Sequence, residues 1–261
     1  MSVPVATSVA VVGVGIMGSA IATRLCACGH TVTVFDRDAA KVEAMVALGA
    51  RAAGSAAQAA AASDFVITSL NAAAIVEAAV FGPAGVAEAG APGKLLIDMS
   101  SIGGAPKARL GQLTVMAGGA VDEVQRARAV MDDLCANYTH MGPAGAGQTT
   151  KLVNQLLCAI GFQAVAEAVR LAEAGGVDAS RLSAALSGGR ADSQLLQEFG
   201  PKMAARDYTP TGRIDNMLTA MGNITPSHMM DRKLFPFSTL KPTGTPDALG
   251  DKAFDADDEP C

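Results

Sequence analysis

Lys151 and Asn154 stand three residues apart in the run Gly142-Pro143-Ala144-Gly145-Ala146-Gly147-Gln148-Thr149-Thr150-Lys151-Leu152-Val153-Asn154. On a helix, that spacing puts both on one face. An ammonium and an amide side by side on an otherwise apolar helix could polarise a carbonyl and deliver a proton to it. The plainer alternative is a lysine snorkelling from a helix end beside an asparagine with no particular task. A second constellation lies near the N-terminus. Gly13-Val14-Gly15-Ile16-Met17-Gly18 follows a β-branched apolar run directly, and Asp36 lies eighteen residues beyond Gly18. Gly13 suits a tight turn, Gly15 lets a pyrophosphate approach the backbone, and Gly18 lets the following helix pack on the strand. Phosphates would rest on the helix N-terminus, where unpaired N–H groups and the helix dipole favour negative charge. Asp36 would accept bonds from the ribose hydroxyls. Its charge disfavours a 2′-phosphate, which points to NAD, whereas Arg37 beside it could accommodate that phosphate, so NADP stays open. A glycine pattern alone also fits a βα turn that binds nothing; here a strand, a helix and an acidic residue accompany it.

These residues need elements to position them. Strand-like runs at Ser8–Val14, Thr31–Phe35, Phe65–Leu70 and Leu95–Met99 alternate with helical patterns at Met17–Cys28, Ala39–Leu48, Ala56–Ala62 and Ala73–Val80. That rhythm predicts a parallel, doubly wound α/β sheet of the Rossmann type over residues 1–140. From Gly147 the chain is apolar nearly all round for more than twenty residues, which predicts a long helix buried on most sides. Shorter helices are expected at Ala179–Leu186, Ser193–Ala205 and Arg213–Met221, making residues 141–224 a smaller all-α domain. Residues 225–261 are rich in Pro, Asp and Gly and read as an irregular tail.

One stretch resists this scheme. If Leu95–Met99 and Leu113–Met116 lie parallel in one sheet, a crossover helix must join them, which takes roughly a dozen residues or more. Ser100 to Gln112 barely suffices, and it carries Gly103, Gly104 and Pro106, which suit a turn better.

The whole chain has 261 residues, half of them hydrophobic and 17% charged, so it buries a sizeable core. A net charge of −5 with no basic run offers no footprint for nucleic acid or an anionic membrane. Five scattered cysteines and three histidines suggest neither a disulfide framework nor a metal site. With an N-terminus that lacks a charged leader segment, a cytoplasmic protein acting on small molecules is expected.

Taken together, "VVGVGIMGSAIATRL", "LLIDMSS", "GGAPKARLGQLTVMAGG" and "GPAGAGQTTKLVNQ" resemble the β-hydroxyacid dehydrogenases. That family includes 3-hydroxyisobutyrate dehydrogenase and tartronate semialdehyde (2-hydroxy-3-oxopropionate) reductase, the latter being nearer in appearance. The resemblance implies hydride transfer between NAD or NADP and a small hydroxy acid or semialdehyde acid, in a homo-oligomer. By position, Lys151 matches the family's catalytic lysine and Asn154 a substrate-contacting asparagine. Leu70, Asn71 and Ser101 match cofactor-contacting positions, although the family usually has proline where Asn71 stands.

The departures are specific. Relatives carry a helix and a further strand after the equivalent of Ser101, and that strand ends in the substrate-binding "DAPVSGG". Here the text passes from "DMSSI" to "GGAPKARLG", so Gly103 and Gly104 read as the surviving end of that motif and the stretch as a deletion joint. Thr219-Ala220 stands where the family has a Lys-Asp pair near cofactor and substrate, and the later helices are missing. Impaired activity follows as an expectation, with two alternatives: a dinucleotide-binding protein without turnover, or a truncated gene product that folds poorly.

Overall fold

The computed structural model describes residues 6–90, 93–99, 104–207 and 209, all within one compact unit, Met1–Met221. The helix expected at Arg213–Met221, the Thr219-Ala220 pair and the tail from 225 onward lie outside the described residues.

Five parallel strands form the main sheet in the order β3-β2-β1-β4-β5, with β1 at Ser8–Val12, β2 at Thr31–Phe35, β3 at Arg51–Ala52, β4 at Phe65–Thr68 and β5 at Leu95–Asp98. Helices α1 (Ile16–Ala27), α2 (Ala39–Val46), α3 (Ala56–Ala61) and α4 (Ala73–Phe81) separate these strands. The period-two alternation of side chains explains the layers. Val9, Val11, Val32, Val34 and Ile67 face one side and pack on Ile21 and Leu25 of α1. Ala10, Val12 and Val66 face the other and pack on Ala59 and Ala60 of α3. Both faces are covered, which is why the strands read as near-continuous apolar runs. The strand order reverses between β1 and β4, and the crevice at their carboxyl ends is where open α/β sheets take ligands.

The stretch from Leu95 to Met116 does not form two neighbouring strands of one sheet. A short helix, α5 (Gly104–Arg109), leads to β6 (Leu113–Gly118), and β6 does not join the main sheet. It pairs in parallel with β7 (Cys135–Gly142) across α6 (Val121–Leu134). Neither α6 nor β7 stood out in the sequence. The sheet is therefore interrupted: among the described residues no strand lies on the outer side of β5, whose Leu96 is exposed.

Side-chain contacts hold the β6-α6-β7 segment to the main body. Helix α6 buries Val124, Ala127, Val130, Met131 and Leu134, one stripe of an otherwise charged helix, and Val130, Met131 and Leu134 join the core that contains α1. At its end, Asp133 accepts from Nε2 of buried His30 at 2.9 Å, and the Asp133 carbonyl accepts from Arg24 Nε at 2.9 Å. The His30 tautomer follows from its other nitrogen, since Nδ1 accepts from the Thr7 N–H at 3.3 Å and so leaves the proton on Nε2. This latch lies at the amino ends of β1 and β2, away from the crevice.

Beyond β7, α7 runs from Ala146 to Ala174, followed by a short 3₁₀ turn at Ala179–Arg181, α8 (Leu182–Leu186) and α9 (Gln194–Ala204). The expectation that the long helix is buried on most sides is wrong for the single chain. Only Val165, Val169 and Ala172 of α7 are buried, where α9 packs on it and Phe162 meets Phe199 edge-on at 4.7 Å. Val153, Leu157 and Ile160 are exposed, Leu157 by 64%. The helix is apolar as expected, but among the described residues little beyond α9 covers it.

Candidate functional site

The turn from β1 into α1 needs its glycines for different reasons. Gly13 has φ +90, and a Cβ there would lie 2.6 Å from the Leu70 side chain and 2.7 Å from the Ser69 carbonyl oxygen. A Cβ on Gly18 would come within 1.8 Å of the Gly13 carbonyl oxygen, so that glycine sets the packing of α1 against the turn. Gly15 differs: nothing in the protein lies within 4 Å of where its Cβ would be. Neither strain nor crowding inside the chain accounts for a glycine there. The space leaves room for a ligand against the backbone. Gly15 is also the N-cap of α1, it offers no side-chain acceptor, and Ile16 beside it is exposed. The first N–H groups of the helix thus face solvent at the end where anions are favoured. A dinucleotide's pyrophosphate fits this cradle.

At the end of β2, Asp36 accepts from the Val14 N–H through Oδ2 at 2.9 Å and from the Asp38 N–H through Oδ1 at 3.0 Å. The carboxylate is oriented by the glycine turn itself, with lone pairs still available to a second donor. A cavity of about 440 Å³ opens beside it, lined by Phe35, Asp36, Arg37, Val42, Ala53 and Gly54 among others. It is suited to an adenosine end, and exposed Arg37 stands at its edge. Replacing Asp36 with alanine removes a charge-assisted acceptor worth about 1.5–3 kcal/mol. Asp36→Ala is therefore expected to weaken NAD binding by about tenfold or more, and to narrow or reverse any preference over NADP. Titrating both cofactors into both proteins checks this; an unchanged affinity ratio would remove Asp36 from the ribose.

The second glycine run does a different job. A Cβ on Gly147 would lie 2.2 Å from the Met116 carbonyl oxygen, and one on Gly118 would lie 2.7 Å from the Pro143 carbonyl oxygen. The two glycines let the start of α7 press against the carboxyl end of β6. His140 Nε2 lies 3.0 Å from the Gly119 carbonyl and 2.8 Å from that of Gly142, tying both corners together. The first turn of α7 is thereby anchored, and Lys151 and Asn154 follow on it.

Lys151 and Asn154 are both half-buried on one face of α7, and the Asn154 amide donates to Cys158 Sγ at 3.7 Å. Burial pushes the Lys151 ammonium below the usual lysine pKa, and the Asp98 carboxylate opposes that shift. Asp98 ends β5 and accepts from the hydroxyl of Thr68, its register partner at the end of β4, at 2.7 Å. The next residue, Ser69, donates its N–H to the Val12 carbonyl and lies under Gly13. The carboxylate that opposes the Lys151 shift thus sits at the carboxyl end of the sheet that carries the glycine turn.

Profiles of two protein families match the chain. The NAD-binding domain of 6-phosphogluconate dehydrogenase matches residues 8–103 and 102–142, and the NAD-binding domain of NADP-dependent 3-hydroxyisobutyrate dehydrogenase matches residues 145–229. The chain belongs to the 3-hydroxyisobutyrate dehydrogenase-like β-hydroxyacid dehydrogenases. As such it is an NAD(P)-dependent oxidoreductase of the type that acts on CH–OH donors. A probable mitochondrial 3-hydroxyisobutyrate dehydrogenase-like 3 of Arabidopsis thaliana is 32% identical over 244 residues, covering 84% of this chain and 76% of the relative. The 2-hydroxy-3-oxopropionate reductase of Escherichia coli is 32% identical over 228 residues and covers 78% of each chain. Among solved structures, 3-hydroxyisobutyrate dehydrogenase of Mycobacterium tuberculosis with L-serine superposes with a TM-score of 0.73 at 28% identity, covering 83% of this chain and 84% of that one. Several members of the family stand at similar identity, so the likeness does not single out the tartronate semialdehyde reductases.

Within this β-hydroxyacid dehydrogenase, the expected residues fall into groups. Gly13, Val14, Gly15, Ile16, Met17, Gly18 and Asp36 converge at one end of β1 and β2, with Leu70 packed on the turn and Asn71 exposed after it. Ser101 and Gly103 lie outside the described residues. Gly104 opens α5 at φ +71 and is exposed, while Ala105 and Ala108 of that helix are buried in the core shared with α1. Asp98 and Thr68 were not singled out from the sequence. The aspartate inside "LLIDMSS" was the available signal, a charge closing an apolar strand at the sheet's ligand-binding end. Burial raises the thiol pKa of Cys26 and Cys28, and burial together with Asp132 raises that of Cys135 to about 12, so these three thiols are not activated as nucleophiles.

Proposed function

We propose that this chain reduces the carbonyl of a small semialdehyde acid such as tartronate semialdehyde, and oxidises the corresponding 3-hydroxy acid, with Lys151 moving the proton. The observation that carries this reading is an open glycine cradle at the carboxyl end of β1 in a chain that also holds a half-buried lysine, Lys151, with Asn154 on the same helix face. The nicotinamide dinucleotide, when bound, supplies or accepts the hydride. The rest falls to the chain. Gly15 and the first turn of α1 hold the pyrophosphate, and Asp36 holds the ribose, favouring NAD. Lys151 gives its proton to the carbonyl oxygen in reduction and recovers it in oxidation, and Asn154 on the same face orients that oxygen. A pKa depressed by burial brings the lysine nearer to working pH, where a proton-transfer group is most effective. Reduction should therefore fail, and oxidation improve, as pH rises through the Lys151 pKa.

We infer further that the rate is low, because part of the substrate cradle is missing. Three observations support a deletion joint near Ile102. The first family profile matches in two pieces that meet at residues 102–103. An alignment of 244 residues uses only 84% of the 261-residue chain, so the relative has residues without a counterpart here. The sheet breaks after β5, where a further strand would continue it. Loss of positioning groups can cost orders of magnitude in rate while the proton-transfer group survives.

We also propose a homo-oligomer. The exposed apolar side of α7, including Val153, Leu157 and Ile160, would gain roughly 1.5–3 kcal/mol for each large apolar side chain fully covered. By length and composition α7 could also cross a membrane, but a second copy is the occupant we propose. Light scattering is expected to give a species larger than a monomer; a monodisperse monomer at micromolar concentration would contradict it.

The functional test is direct. NADH or NADPH is mixed with the protein, binding is followed by cofactor fluorescence, and tartronate semialdehyde is added while the absorbance of the reduced cofactor is recorded. Slow, protein-dependent oxidation supports the proposal. Binding without oxidation would replace it with a dinucleotide-binding protein lacking turnover, a reading the interrupted sheet favours over any other alternative.

A further inference from the structure

We propose that His140 is a positioning residue for α7: by giving one ring proton to the Gly119 and Gly142 carbonyls together, it locks a β-bulge at the end of β7 and so sets where the first turns of the helix, with Lys151 and Asn154, stand. The proposal rests on the roles given to those two side chains above and adds a residue that holds their helix in place.

The register of β6 and β7 shows the bulge. Ala117 stands opposite His140, but the next pair is Gly118 with Gly142, so Met141 is one residue more than β6 supplies. An insertion of this kind bends its strand and re-aims the chain beyond it. Here the chain beyond it is the start of α7. Gly142 has φ +135, which glycine takes more readily than other residues, and only Pro143, Ala144 and Gly145 separate it from Ala146, the first residue of the helix. The Pro143 carbonyl accepts from the Ala146 N–H at 3.0 Å, and Gly145 caps the helix at φ +91. With so short a connection, a slip in the bulge passes directly to α7.

His140 closes the bulge from the side. The Gly142 carbonyl accepts from the Gly119 N–H at 3.0 Å and from His140 Nε2 at 2.8 Å, and the Gly119 carbonyl lies 3.0 Å from the same ring nitrogen. Both carbonyls are acceptors, so the ring proton sits on Nε2 and is shared between them. The bond pair runs from the residue just after β6 to the last residue of β7. Since His140 is exposed, water could satisfy each carbonyl in its place. The imidazole adds what water lacks, a covalent tie to β7 just before the extra residue. Backbone packing then carries the constraint to the helix, because a Cβ on Gly118 would lie 2.9 Å from the backbone nitrogens of both Ala146 and Gly147. Lys151 follows Gly147 by roughly 6 Å along the helix axis, and Asn154 by one turn more. Displacing reacting groups by about 1 Å can cost about a hundredfold in rate.

His140→Phe keeps a ring and removes the donor, whereas His140→Gln carries an amide N–H the same number of bonds from Cβ. In the Phe variant, kcat for reduction of tartronate semialdehyde is expected to fall by about tenfold or more while NADH affinity stays within about twofold, and the Gln variant is expected to recover most of the loss. A residue needed for stability alone would lower the unfolding temperature without this split. Equal kcat in all three proteins would overturn the proposal, and so would equal losses in the two variants. In a parent protein without turnover the proton-transfer reading fails by itself, and amide hydrogen exchange over residues 149–154 decides the clasp. Exchange several-fold faster in the Phe variant and restored in the Gln variant supports it; coincident rates overturn it. If the Phe variant does not fold, 15N spectra of the His140 ring in the parent protein at about pH 9, where histidine is neutral, take its place. A proton on Nε2 is expected, and a proton on Nδ1 would overturn the proposal.

Discussion

Gly15→Val is expected to abolish binding of NADH and NADPH, weakening either by at least about a hundredfold, while leaving the fold intact. The separation of these two effects is the strength of the test. Gly15 has φ −65 in extended backbone, which valine adopts, and no protein atom lies within 4 Å of its would-be Cβ. The Cβ therefore meets no protein atom, and the branched side chain is expected to project into the space where a pyrophosphate would approach the N–H groups of α1. Gly18→Val would be a poor substitute, since its Cβ would meet the Gly13 carbonyl oxygen at 1.8 Å and force the helix off the turn. Cofactor titration together with thermal unfolding checks the prediction. Retained affinity in a stably folded Gly15→Val protein would place the dinucleotide elsewhere.

Lys151→Met should do the converse. Methionine keeps the length and apolar stem of the side chain, so the half-buried position stays filled, and the cofactor turn is on another element. Dinucleotide affinity is expected to stay within about twofold, whereas carbonyl reduction should fall by about 10²–10⁴, the usual contribution of a positioned acid or base. Losses of this kind appear in kcat and kcat/KM together, because the interaction belongs to the transition state. Equal turnover by the two proteins would remove Lys151 from the chemistry.

The strands and helices of the first half were legible because the physics there is local and repetitive. Ser8–Val12, Thr31–Phe35 and Phe65–Thr68 are β-branched runs closed by turn residues, and each is buried on both faces. The cofactor turn was legible for a related reason, since three glycines and an acid at fixed offsets record contacts between the backbone and something outside the chain. The later part was harder. Helix α6 buries a stripe of five residues among many charges, and exposed positions dominate β7, so neither stood out by apolar content. The pairing of β6 with β7 joins two strands on either side of α6 into a separate sheet, a choice made by packing across the chain and not by the local sequence of either strand.

The most direct measurement of the central claim is a calorimetric titration of the intact chain with NADH. The sheet break after β5 leaves β1, β2, β4 and α1 untouched, so the crevice at their carboxyl ends should still take the cofactor. The account predicts saturable binding at one site per chain, competed by NAD. Absence of any saturable heat from a chain shown by circular dichroism to be folded would contradict it, because the cradle at Gly15 would then be open for some other reason.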